Sequence, residues 1–450
     1  MDDFVESFND LEQAKEIITQ VDEVHQKAGF HLRGWNSNDP ELLAMTPSDR
    51  RAKQGTTPLG ATEKTLGLLW NSDTDHLSFN TSLNQVPEAV KSRERPPTKR
   101  EALSTVMSIY DPLGLLSCYT ITAKINLQQL WRLKTGWDEP LPDDLAADFD
   151  TWMAGLQIVK ELRIPRSYNG GRDLRRRELH IFCDASEEAY AAAAYWRLTY
   201  EKKGEAEVVL VAARAKVAPL KTQTIPRLEL QEALIGTRLA KAIKEDHRLR
   251  IDDIVYWSDS QTVLHWLRNG SRRYTPFVAH RLAEITEESR PTSWRWVPTR
   301  HNIADVATRA GYIPTSEQDP WFLGPQFLRR PKSDWPRPPE KSEDDTTELL
   351  HVITQGNEND NAALPDISRF SLYDRLIGAT GRVLQFIDRC RGKKVDLNAE
   401  HLERATHRED RSRRLPDVSS QKEAAPKPAD WRSTDGAPST LSTAVQPLWA

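Results

Sequence analysis

The sequence predicts an α/β fold: a mixed five-stranded sheet with flanking helices in the middle of the chain, preceded by an α+β and then helical region. Two observations carry this expectation. Three short apolar runs separated by polar or glycine-containing turns are followed by segments that alternate between helical and strand periodicity. Several acidic residues then stand at the ends of those segments, where an α/β sheet gathers side chains along one edge.

The elements follow in order. Residues 10–29 place Leu11, Ala14, Ile17, Ile18, Val21 and Val24 on one helical face, with Asp10 and Gln13 resembling a capping box and Gly29 as the stop. Residues 31–35, 65–70 and 77–79 read as short strands. From 98 to 162 the period is helical, through Leu103, Val106, Met107 and Tyr110 and again through Ile125, Leu127, Leu130 and Trp131, with a break at Asp111-Pro112-Leu113-Gly114. Residues 160–177 collect Lys160, Arg163, Arg166, Arg172, Arg175, Arg176 and Arg177, which suits either a phosphate backbone or a solvated linker. In the α/β region strands are expected at 179–183, 189–196, 208–213, 254–257 and 293–297. Helices are expected at 228–245, 262–267, 277–287 and 304–309. Beyond Gly311, residues 331–345 have the proline and charge content of a linker, 372–390 form an amphipathic helix, and 405–450 lack periodicity and read as disordered.

Composition limits the function classes. A chain of 450 residues favours two or three domains, and a mean hydropathy of -0.64 implies polar segments between them. Lysine and arginine number 62 against 66 acidic residues, so any nucleic-acid site must be a local patch rather than a global positive field. Cys118, Cys183 and Cys390 are too scattered for a disulfide framework or a paired-cysteine zinc motif, which suits an intracellular setting, cytoplasm or nucleus, rather than secretion. No apolar run approaches the ~18 residues of a membrane span, and the first residues lack the pattern of a signal peptide.

Four acids invite a chemical reading. Asp184 follows the first strand of the α/β region, Glu229 lies in the first turn of its first helix, Asp259 follows the fourth strand, and Asp305 opens the last helix. One such acid is usually a cap or a surface residue. Four converging carboxylates repel one another and call for a hard divalent cation, with magnesium the natural occupant and manganese its substitute. Two such ions roughly 3.5 to 4 Å apart can align an attacking water and a leaving oxygen across a phosphate.

The words around these acids are Phe182-Cys183-Asp184-Ala185-Ser186, Pro226-Arg227-Leu228-Glu229-Leu230, Trp257-Ser258-Asp259-Ser260-Gln261 and Asn302-Ile303-Ala304-Asp305-Val306-Ala307-Thr308-Arg309. Together they resemble the ribonuclease H domains of retroelement polyproteins. Lys64-Thr65-Leu66-Gly67-Leu68-Leu69-Trp70 and Ser108-Ile109-Tyr110-Asp111-Pro112-Leu113-Gly114 extend the resemblance to pol polyproteins of BEL/Pao-type LTR retrotransposons.

That resemblance implies a ribonuclease H that cuts the RNA strand of RNA–DNA hybrids. Asp184, Glu229, Asp259 and Asp305 would be its catalytic metal ligands for two Mg2+ ions, Ser186, Arg227, Ser260, Gln261 and Asn302 would contact nucleic acid, and His301 would be an auxiliary proton carrier or aid to product release. From the residues alone, Ser260 and Gln261 read equally well as a helix cap and His301 reads as a solvated loop histidine. The implied domains are a reverse transcriptase palm remnant at 1–95, a helical thumb and connection at 96–165, the ribonuclease H-like domain at 175–312, a linker at 313–365, a helical pre-integrase segment at 366–400 and a disordered tail at 401–450. Asp2 and Asp3 resemble the end of the polymerase Tyr-x-Asp-Asp motif, with no upstream palm, so DNA synthesis is not expected. Besides RNA–DNA hybrid, other products of such a polyprotein are candidate partners. An aspartic peptidase needs Asp-Thr-Gly or Asp-Ser-Gly, and neither occurs. A non-catalytic nucleic-acid-binding remnant is the competing reading.

Overall fold

The computed structural model describes residues 6–338 and the helix at 373–390, apart from residues 9, 52–55, 60–67, 169–172, 202–203 and 248. Met1–Leu350 form one compact unit and His351–Ala450 a second. Asp2, Asp3 and the tail at 401–450 lie outside the described residues.

Helix α1 (Leu11–Lys27) starts where the Asp10 carboxylate accepts from the Glu12 N–H, and the chain leaves it through Gly29 at φ 78°. Helix α2 (Pro40–Met45) is capped the same way by Asp39. Residues 31–35 make no strand beyond one bridge between Trp35 and Arg51, because Gly34 at φ 74° interrupts the extended backbone. Strands β1 (Thr56–Leu59), β2 (Leu68–Asn71), β3 (His76–Phe79) and β4 (Ile164–Pro165) form an antiparallel sheet in that order.

Between β3 and β4 lie α3 (Glu88–Lys91), α4 (Lys99–Met107), α5 (Ser117–Arg132) and α6 (Asp143–Glu161). A capping box between Thr98 and Glu101 opens α4. The Asp111-Pro112-Leu113-Gly114 break turns the chain into α5: the half-buried Asp111 carboxylate accepts from the N–H groups of Leu115 at 2.9 Å and Leu116 at 2.7 Å. A Cβ at Gly114 (φ 72°) would stand 1.8 Å from the Ala213 carbonyl oxygen, so only glycine permits this approach to the sheet.

The second sheet holds β5 (Leu174–Ala185), β6 (Ala189–Tyr200), β7 (Glu207–Val217), β8 (Asp253–Ser258) and β9 (Trp294–Trp296) in the order β7-β6-β5-β8-β9. Its first three strands form an antiparallel meander, β8 is parallel to β5, and β9 is parallel to β8. The mixed five-stranded sheet expected from the sequence is therefore present. Helix α7 (Ile225–Asp246) makes the crossover to β8, followed by α8 (Gln261–Asn269) and α9 (Pro276–Glu288). The period-2 alternation of β6 divides the core: Ala192, Ala194 and Trp196 face the layer of α7, α8 and α9, whereas Ala191, Ala193 and Tyr195 face α5 and α6. The small side chains let α7 come close, and a Cβ on its Gly236 would meet the Cys183 Sγ at 2.4 Å.

Residues 313–338 depart from the linker expected at 313–365. Trp321, in α10 (Pro320–Leu323), and Phe322, Phe327, Leu328 and Trp335 are buried in the same core as α5 and the sheet. Aromatic residues spaced among the prolines supply the burial that average composition hides. Residues 339–372 lie outside the described residues, and α11 (Tyr373–Cys390) belongs to the second unit.

Much of the basic run at 160–177 is spent on internal partners. Arg166 pairs with Asp75 at 2.6 Å, and Arg176 reaches Glu178 at 2.9 Å. Glu178, fully buried in the centre of β5, also pairs with Arg197 at 2.7 Å and Lys332 at 2.6 Å. Burial pushes its carboxyl up, but Lys332, with Arg197 and others, overcomes this and holds it below its usual range. Lys332 thereby ties the segment after α10 to the sheet. Removing the charge would leave Arg197 buried without its counterion, so Glu178→Gln is expected to cost about 3 kcal/mol or more in urea denaturation. A loss below about 1 kcal/mol would refute this role.

Candidate active site

The site is built at the carboxyl ends of the central parallel pair. The register Phe182↔Trp257 carries forward to place Asp184 level with Asp259, on strands about 4.8 Å apart. Helix α7 brings Glu229 to the same edge. It starts at Ile225, three residues before the expected start, so Glu229 occupies the second turn rather than the first. Asp305 lies in a 3-10 turn, Ile303–Ala307, opened by the Asn302 side chain accepting from the Ala304 N–H.

Asp184 is 4% exposed and firmly held. Its Oδ2 accepts from Thr308 Oγ1 at 2.5 Å and its Oδ1 from Asn302 Nδ2 at 3.2 Å, while Asn302 Nδ2 also donates to the Cys183 carbonyl at 2.8 Å. Burial, aided by the charges of Asp259 and Asp305, raises the Asp184 carboxyl to about 7 against the pull of Thr308. Asp259 is also raised, first by burial, against the hydrogen bond it accepts from Thr299 Oγ1 at 2.6 Å, with Asp305 adding repulsion. Asp184, Asp259 and Asp305 are thus close enough to repel one another.

They do not form a closed ligand set here. Among the described residues no group of three or more His, Cys, Asp or Glu stands in an arrangement that could hold a metal ion. Glu229 accepts from Ser260 Oγ at 2.7 Å, Asp259 from Thr299, and Asp305 pairs with Arg309 at 2.8 Å. What suits a divalent cation is the donor chemistry: carboxylate oxygens at one edge, two of them with their charged form disfavoured by burial and mutual repulsion.

Several residues expected at the nucleic acid have other partners. Ser186 Oγ donates to the Thr308 carbonyl at 2.7 Å and accepts from Ala189 N at 3.1 Å, closing the β5–β6 turn. Ser260 is 5% exposed and caps α8 while holding Glu229; Asn302 is 3% exposed and holds Asp184. Arg227 lies over the Phe277 ring at 4.8 Å. Gln261 is the first residue of α8 and half-buried, and His301 is exposed beside Phe327, with ring centroids 6.2 Å apart.

The sequence reading missed Glu232, one turn beyond Glu229. It is fully buried, accepts from Ser258 Oγ at 2.9 Å, and is pushed well up by burial and by Asp184, Asp259 and Glu229. Its other carboxyl oxygen has no hydrogen-bond partner among the described residues. Thr299, Thr308 and Arg309, the partners of three of the acids, were also missed as functional residues.

With this geometry established, comparison with known proteins is informative. Residues 98–260 match the family model described as Pao retrotransposon-like RNaseH-like domain. The chain carries a Pao retrotransposon-like, RNaseH-like domain. The match begins at the helices before the sheet and takes in Asp184, Glu229 and Asp259 of this RNaseH-like domain. No curated protein matches the sequence. Among solved structures, RNase H1 from the halophilic archaeon Halobacterium salinarum NRC-1 is 20% identical, covering 28% of this chain and 89% of that one, at a TM-score of 0.20. The N-terminal RNase H domain of a Mycobacterium tuberculosis protein, solved as a fusion with maltose-binding protein, is 13% identical over 28% of this chain and 86% of that one, at a TM-score of 0.19. The strand order and the family match, rather than these two likenesses, carry the assignment.

The raised Asp184 carboxyl predicts a pH dependence. Its unfolded form ionises near 3.8 and its folded form near about 7, so without metal the folded protein holds the extra proton between those values. Stability should therefore fall as pH rises through this window, by up to ~4 kcal/mol for this group at ~1.4 kcal/mol per unit. Urea denaturation at pH 5 and pH 8 is expected to show the fall in wild type and a smaller one in Asp184→Asn. Equal falls in both proteins would show that Asp184 is not the source.

Proposed function

We propose that the protein is a metal-dependent ribonuclease H that hydrolyses the RNA strand of RNA–DNA hybrids. One observation carries this reading: four carboxylates from β5, α7, the end of β8 and the 3-10 turn are directed to one edge of an RNaseH-like sheet, where burial and repulsion raise two of them. Asp184, Glu229, Asp259 and Asp305 would hold Mg2+, with Mn2+ as substitute. When bound, the metal would polarise the scissile phosphate and lower the pKa of water.

The chain's own residues orient these ligands. Thr308 and Asn302 fix the two oxygens of Asp184, Ser260 fixes Glu229, and Thr299 fixes Asp259. Arg309 neutralises Asp305 until a cation replaces it. His301, exposed four residues before Asp305, would be the auxiliary group in this reading.

A non-catalytic nucleic-acid-binding module is favoured by one specific observation: each of the four acids already has a hydrogen-bond or ion-pair partner, and no three are arranged to hold metal. The two readings separate experimentally. The full chain with Mg2+ is expected to cut a labelled RNA–DNA hybrid, and Asp184→Asn to lower the rate by at least about a hundredfold. Mg2+ should also raise the unfolding midpoint of wild type but not of the variant. Hybrid binding without cutting or metal stabilisation would favour the binding module.

A second measurement addresses Glu232. Because burial and the neighbouring acids favour its neutral form, Glu232→Gln should change stability at pH 7 by less than about 1 kcal/mol. Glu232→Lys, which buries an unpaired charge, should cost several kcal/mol. A large loss with Gln would mean that the carboxylate is charged and paired in the working protein.

A further inference from the structure

Beside the carboxylates lies an open cleft of about 260 Å³ of which the proposed chemistry uses only His301, lined by the turn at 298–301 and the segment at 327–337. Its walls include Trp296, Arg300, His301, Phe327, Arg330 and Arg337. The cleft's wall is tied to the site: Trp296 Nε1 donates to the Asp259 carbonyl at 3.2 Å and the adjoining Thr299 donates to the Asp259 carboxylate at 2.6 Å.

Its chemistry is distinctive. Arg300, Arg330 and Arg337 are exposed and form no ion pair among the described residues, whereas Arg166, Arg176, Arg197, Arg238 and Arg309 are all paired with acids. The lining holds one acid, Asp334, which accepts from Ser333 Oγ. Three arginines and one aspartate leave a local charge of about +2 on a chain whose formal charge is -4. The half-buried Trp296 adds flat aromatic surface between these cations, and the exposed His301 ring stands against the buried Phe327.

Guanidinium groups beside aromatic faces match a nucleic-acid strand whose bases are unpaired, with phosphates on the arginines and a base against a ring. A duplex about 20 Å across does not enter a cleft of this volume. An acidic peptide would satisfy the arginines but leave the rings uncovered. We propose that this cleft binds a single-stranded nucleic-acid segment flanking the hybrid, on the Asp259 side of the site. The proposal rests on the nuclease reading for its biological setting but not for its test.

The experiment is fluorescence anisotropy of a short labelled single-stranded RNA with the full chain over a range of salt concentrations. Wild type is compared with a triple variant, Arg300→Gln, Arg330→Gln and Arg337→Gln, whose exposed side chains leave the core intact. Each lost phosphate contact should flatten the plot of log affinity against log salt by about 0.7, so the triple variant should bind at least about tenfold more weakly with a slope shallower by about two. Asp334→Asn should tighten binding. Blunt hybrid should be bound and cut by the triple variant as by wild type, while hybrid with a single-stranded overhang should lose its advantage.

Wild-type binding unchanged in the triple variant, no wild-type binding to single strand at low salt, or competition by polyglutamate as effective as by RNA would each overturn the cleft. So would an equal loss on blunt and overhanging hybrids, the sign of a general field rather than a site. Failure of wild type to cut blunt hybrid, with single-strand binding intact, would refute the nuclease reading and leave the cleft standing.

Discussion

The parallel pairing of β5 with β8 is the constraint on which the rest of the site depends. Parallel neighbours cannot be joined by a tight turn, so the chain must cross over, and the crossover is α7. The same pairing sets the ends of both strands at one edge, and α7 returns across that edge with Glu229. The placing of Asp184, Asp259 and Glu229 at one edge is thus a consequence of topology, and electrostatics opposes the approach of Asp184 and Asp259. The structure meets that opposition locally, with a hydroxyl, an amide or a guanidinium for each acid.

Those local bonds show how the site holds like charges in place at one edge. Thr308, Asn302, Thr299, Ser260 and Arg309 take up acceptor capacity that a cation would otherwise claim. Buried carboxylates remain tolerable when protonated or hydrogen-bonded, and Asp184 and Glu232 use both means. Like charges held together in this way cost stability, a common arrangement at functional sites.

The sequence carried the order of the elements and the identity of the acids, because both are local properties. Alternating alanines in β6 and helical periodicity in α7 are visible within a short window. The lengths of the strands were harder to read: β5 runs from Leu174 through Arg176 and Glu178, and charges inside a strand disguise it until their partners Arg197 and Lys332 are known. The role of Thr308 was hidden for the same reason, since its partner Asp184 is 124 residues away. Residues 313–338 looked like a linker because proline and charge dominate the average, while the few aromatics that anchor them, Trp321, Phe327 and Trp335, do not. Glu232 gave no signal, because an acid one helical turn from Glu229 normally points to water.

The close approach of Gly114 to the Ala213 carbonyl bears on what counts as an autonomous folding unit. Leu113 accepts a backbone hydrogen bond from Ala213 at 2.8 Å, and Trp321 Nε1 donates to the Leu115 carbonyl at 2.7 Å, so the link between α4 and α5 is fastened both to the sheet and to the segment beyond it. One face of the sheet, with Phe182, Tyr195 and Trp257, is covered by these helices rather than by the sheet's own sequence neighbours. Excising the sheet at its apparent boundaries would uncover a broad aromatic surface prone to self-association. The family match starts at residue 98, well before the first strand of that sheet, and so takes in the helices that cover it. Evolutionary transfer of this sheet between proteins would require the helices to travel with it.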